Sequence, residues 1–131
     1  MSYALAGAVQ AAVHAALIAE GDLAGVPVLD AVPPGGAGGT FVLIGAEEVR
    51  DASDATGAGA EHRVEISVRS DAAGFQAAKG VAAAVYTAME GLALPGPGRV
   101  VGVRFLKAVA KRSDDGAERR IDLTFRVRVE A

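Results

Sequence analysis

Apolar residues recur at Leu5, Val9, Val13 and Leu17, with Gln10 and His14 on another face, which is the period of an amphipathic helix. Ser2 is placed to cap its start and Gly21 to end it. A short apolar run, Val28 to Val32, follows Pro27. Pro33 to Gly39 is too rich in proline and glycine for regular structure and reads as a loop. Thr40 to Gly45 is continuously apolar and rich in β-branched and aromatic residues, as in a strand covered on both faces. The polar residues from Glu47 to Arg50 let that strand continue as an exposed arm. Asp51 to Ala60 has the small, polar composition of a surface loop.

Strict alternation from Glu61 to Arg69 puts Val64, Ile66 and Val68 on one side and Arg63, Glu65, Ser67 and Arg69 on the other, a half-buried strand. Ser70 and Asp71 are then available to cap a second helix with a buried stripe of Phe75, Ala78, Ala82, Val85 and Met89, ended by Gly91. Beyond the break at Leu94 to Gly98 lie two long strands, Arg99 to Arg112 and Glu118 to Glu130, joined through Ser113-Asp114-Asp115-Gly116, a hairpin signal. The last strand alternates throughout. Its predecessor changes parity at Phe105-Leu106, which predicts a bulge. The order α-β-β-β-α-β-β predicts an α+β fold: a mainly antiparallel sheet with two helices packed on one face.

Length and composition narrow the function. One domain is expected over residues 1–131, with a mobile arm or loop at about 46–60 and a hairpin at 99–130. The chain has no Cys and only two His, so no thiolate metal centre and no thiol nucleophile can form. The Ala-rich segment Tyr3 to Ala19 lacks a preceding basic residue and the hydrophobicity of a signal peptide or membrane span. The glycine-rich stretches lead into strands and lack a Gly-Lys-Ser/Thr, so none reads as a phosphate loop. His14 and His62 have no positioned nucleophile, and Glu47-Glu48 and Asp114-Asp115 read as solvated neighbours. No catalytic, cofactor or metal site is expected, and the chain does not read as an enzyme.

The net charge of −3 is unevenly spread. Residues 1–98 hold four basic groups against eleven acidic, whereas residues 99–131 hold nine against five. The basic hairpin, with Arg104, Arg112, Arg126 and Arg128, suits docking to an acidic protein surface. Tyr and Trp are not interleaved with it, and Asp114, Asp115, Glu118 and Asp122 dilute it, which weakens a nucleic-acid reading.

The pattern as a whole resembles the tail-completion, or tail terminator, proteins of long-tailed phages and bacterial gene transfer agents. The resemblance rests on Ser2-Tyr3-Ala4-Leu5 with Gln10-Ala11-Ala12-Val13, Asp30-Ala31-Val32-Pro33, Phe41-Val42-Leu43-Ile44-Gly45, Glu61-His62 before the alternating strand, the helix from Gly74 to Met89, and the closing hairpin. Thr40-Phe41 and Arg69 depart from the Pro-Tyr and the aromatic residue often found in the family at those places. The resemblance implies a structural protein that forms a ring, generally hexameric, at the head-proximal end of a tail tube. Such a ring ends tube polymerisation and joins the tail to the head.

The partners implied are further copies of the chain, the tube protein and a stopper- or adaptor-type neck protein. Nucleic acid at most passes through the ring without specific binding, and no membrane is involved. Assembly in the bacterial cytoplasm and release within a phage-like particle follow from the same resemblance. Arg104, Arg112, Arg126 and Arg128 are expected at the subunit interface; Glu47, Glu48, Arg50, Asp51 and Asp54 are expected to touch tube or neck. The rival reading is a small α+β ligand-binding or regulatory module that dimerises through its sheet.

Overall fold

Five strands build one sheet in the order β1-β2-β3-β5-β4: β1 Val28–Leu29, β2 Thr40–Asp51, β3 Gly59–Ser70, β4 Arg99–Arg112 and β5 Arg119–Glu130. A computed structural model describes every residue except 1, 2, 34, 35, 37, 56 and 95. Only the β1–β2 pair is parallel; the other neighbours are antiparallel. Helices α1 (Ala6–Ala19) and α2 (Gln76–Glu90) pack on one face, and a single 3-10 turn, Gly21–Leu23, follows α1. The observed order is the predicted α-β-β-β-α-β-β.

Between the layers lies an aliphatic core. Val9, Val13 and Leu17 of α1 join Val85 and Met89 of α2 over Val42, Ile66, Val68, Leu123, Phe125 and Val127 of the sheet. Neither helix has a capping side chain at its start, so burial of these stripes and alanine's helix propensity sustain them. The predicted cap Ser2 lies outside the described residues. Ser70 and Asp71 do not cap α2, which begins five residues later, after a turn at Gly74. Instead they close the end of the β2–β3 ladder. The Ser70 and Thr40 hydroxyls share a 2.8 Å hydrogen bond, and Asp71 Oδ2 accepts from the Gly39 amide at 3.0 Å. Gly91 does end α2, but the first helix gives way at Glu20, one residue before the expected terminator.

Three register shifts shape the sheet. The parity change at Phe105-Leu106 is a bulge between Phe105 and Lys107, as the pattern predicts, and a second lies between Val100 and Gly102. The third was not legible in the sequence. It lies between Ile44 and Glu47 of β2, where Gly45 and Ala46 oppose one residue of β3. A Cβ at Gly45 would come within 3.2 Å of the Glu65 carbonyl oxygen, so glycine permits this close approach. Past the bulge, β2 stays paired with β3 to Asp51, and β3 begins at Gly59, shortening the expected loop to a tight connection.

Candidate surfaces for assembly

Cross-strand register places each candidate residue on a face, because paired residues project to the same side. The helix-covered face receives Val64, Phe125 and Phe105 from one row and Val68, Ile121 and Ala110 from another. The opposite, bare face receives the polar positions of the same strands. Ten of the chain's 13 lysines and arginines belong to that bare face, with five of its 16 carboxylates. The remainder of the molecule therefore carries three cations and eleven anions. A net charge of −3 thus separates into a basic sheet face and an acidic body.

Of the four arginines singled out in the sequence, Arg104, Arg126 and Arg128 share the bare face, whereas Arg112 projects to the helix side. There its guanidinium lies 6.0 Å from the centroid of the Phe75 ring. Arg104 and Arg126 stand directly opposite each other, and together with Arg128, Glu61, Val101, Gly102 and Val103 they line a shallow groove of about 350 Å³. Arg126 reaches Glu61 at 3.6 Å, and Arg128 donates to the Ala52 carbonyl at 3.0 Å. Arg104 has no ion-pair partner among the described residues.

The acidic arm divides by parity. Glu48 and Arg50 project to the bare side and pair with each other at 2.9 Å. Glu47, turned inward by the bulge, meets His62: Nδ1 lies 3.2 Å from Glu47 Oε2. His62 is fully buried, and its Nε2 has no partner among the described residues. Nor is Glu47 simply a solvated neighbour of Glu48. Asp51 accepts from the Ser53 hydroxyl, and Asp54 forms an isolated bridge with Gly57 that folds the tip back on itself.

The two ends of the sheet differ. At one end β4 has a free edge, beside which Val101, Phe105 and Val109 are exposed at 45%, 40% and 45%, next to Tyr86 of α2. Large apolar side chains at an open strand edge are an adhesive feature. The other end carries a groove of about 530 Å³ between α1 and β1, lined by Gln10, Ala11, His14, Val28, Leu29 and Asp30 among others. Sequence reasoning missed both, because they depend on which strand is outermost. It also missed Arg63 and Arg69 as members of the basic face; their outward parity was visible, but not their register against the cations of the hairpin.

Among the described residues no group of three or more His, Asp or Glu could hold a metal ion, and no helix is long and apolar enough to cross a membrane. The profile of the family described as Tail completion protein gp17 matches residues 11–130. A solved structure described as the virion of a native gene transfer agent particle contains a chain 54% identical to this one. The match covers 99% of this chain and 100% of that one, with a TM-score of 0.88. No protein with a curated description matches.

Proposed function

The chain belongs to the tail completion protein family, and from that premise we propose that it forms a closed ring of six subunits on the head-proximal end of a phage-like tail tube. The ring ends tube polymerisation and presents the surface on which a neck protein docks. The chain is then a structural component of a released particle, assembled in the bacterial cytoplasm, with tube protein, neck protein and its own copies as partners.

The observation that carries the ring is the unlikeness of the sheet's two ends. A ring needs a heterologous contact, in which one patch meets a different patch on the next subunit and the rotation closes. The β4 edge, with Val101, Phe105 and Val109, supplies one patch; the α1–β1 groove at the far end of the same sheet supplies the other. Arg104 and Arg112 flank the β4 edge on its two sides, and Arg126 and Arg128 stand one strand behind. Asp30 in the groove and the acidic body around it complement that charge. The tip of the β2–β3 hairpin, with Glu48, Arg50, Asp51 and Asp54, is the contact to tube or neck; Glu47 shapes the arm through His62.

Light scattering combined with negative-stain imaging, on the chain alone and with tube protein added, tests this reading. Rings, formed alone or on tube ends, are expected. A stable monomer or dimer that leaves tube ends bare contradicts it.

A further inference from the structure

Two rows of cations cross the bare face of the sheet. In the first, Arg63 of β3, Arg126 of β5 and Arg104 of β4 stand directly opposite one another; in the second, Arg69, Arg120 and Lys111 do the same. Like charges directly opposite across a ladder are destabilising, so a free sheet gains nothing from this arrangement. Glu48 of β2 stands opposite Arg63 at the end of the first row but is paired with Arg50 at 2.9 Å; beyond that pair, one carboxylate reaches the cations of each row. Glu61 lies 3.9 Å from Arg63 and 3.6 Å from Arg126, and Asp122 lies 3.0 Å from Arg120 and 3.8 Å from Lys111. Two positive charges per row remain uncompensated. The rows lie six positions apart along β3, about 20 Å along the strands, and each row is about 10 Å wide.

We propose that this face binds the sugar-phosphate backbone of duplex nucleic acid, without reading its sequence. Three observations favour phosphates over the carboxylates of another protein. The face lacks the apolar centre of a protein interface: Phe41 on it is 2% exposed, Leu43 is half-buried, and the exposed Val101 and Val109 lie at its rim, on the edge strand β4. Eight of its ten cations are arginines, whose planar forks match phosphate oxygens. No exposed aromatic ring lies on it for bases to stack on, since Phe105 and Phe125 project to the helix side, which leaves backbone contact alone. A duplex carries one charge per about 1.7 Å of axis, so a span of about 20 Å offers both rows more phosphates than they need. The sequence favoured an acidic protein partner, because register, not composition, gathers these residues into rows.

Fluorescence anisotropy with a labelled 30-base-pair duplex, titrated with the full chain at a series of salt concentrations, tests the proposal. Binding in the range of about 10⁻⁴–10⁻⁶ M, equal for unrelated duplex sequences, is expected, with log K falling about 0.9 per contacted phosphate for each unit of log salt. The double variant Arg104→Gln/Lys107→Gln removes two cations that have no ion-pair partner among the described residues, so folding is spared. It should reduce that slope by about 1.8. Absence of binding at low salt, an unchanged slope in the variant, or equal affinity for polyglutamate overturns the proposal. So does a double variant that loses self-association while keeping its DNA affinity and slope, which would make the face a subunit interface. Failure of the unsubstituted chain to form rings, with its DNA binding and slope as expected, would contradict the ring alone.

Discussion

Glu47 and His62 meet because β2 carries one residue more than its partner strand. Without the bulge at Gly45-Ala46, inward parity would pass from Ile44 to Ala46 and Glu48, and Val49 would face outward. With it, Glu47 and Val49 turn toward the helices, opposite Val64 and His62. Glu47 holds Nδ1 of a ring that is otherwise enclosed by apolar neighbours, and an Nδ1–H donated to the carboxylate leaves Nε2 as the buried, unpartnered atom. Glu47→Ala removes the one hydrogen-bond partner that a buried imidazole has among the described residues and should cost about 1–3 kcal/mol in urea unfolding. A change below a few tenths would mean that the contact contributes nothing. At the hairpin tip, the Ser113 hydroxyl and the Ala117 amide both donate to Asp115 and hold its carboxyl below the usual carboxylate range. Because the folded value is depressed, that contribution is complete above the unfolded pKa of about 3.9 and is lost as pH falls through the lower folded value. The Ala117 amide resonance, followed by NMR down to pH 2, should report that loss below the ordinary carboxylate midpoint.

At the scale of elements, the entry to β4 depends on Gly98. Its φ is +88°, and a Cβ there would approach Leu5 Cδ1 at 2.8 Å and the Glu130 carbonyl oxygen at 3.0 Å. Leu5 can shift; the backbone of β5 cannot. Gly98→Ala should therefore lower stability by about 1–2 kcal/mol from backbone strain alone, seen as a drop of several degrees in Tm. An unchanged Tm would show that the strand start adapts freely. The elements themselves were legible in the sequence, because period alone separates α1 and α2 from the strands, and the parity break at Phe105-Leu106 marked its bulge. The β2 bulge was not legible, since Gly45-Ala46 followed by polar residues reads equally well as a strand leaving the sheet. The capping role expected of Ser70 and Asp71 failed for a related reason: both residues cap helices and also close ladders, and only the tertiary partners Thr40 and Gly39 decide between them.

For the whole molecule, the uneven charge along the chain becomes an uneven charge across it. Alternation in β3 and β5 already sent Arg63, Arg69, Arg126 and Arg128 outward. Strand order then gathered those residues with the cations of β4 on one face and left the acidic groups to the body. The same strand order decides which edge is open. Val101→Asp puts a carboxylate beside the free β4 edge, at a bulge residue 45% exposed that pairs with no residue of β5, so it should leave Tm nearly unchanged while weakening ring formation at least tenfold. Equal loss of folding and assembly would remove the edge from the interface.

A ring that caps a tube must limit the tube's length. Tube protein polymerised with increasing amounts of the chain and imaged by electron microscopy should give progressively shorter tubes, each carrying one ring at one end. Tubes of unaltered length with both ends bare would contradict the account.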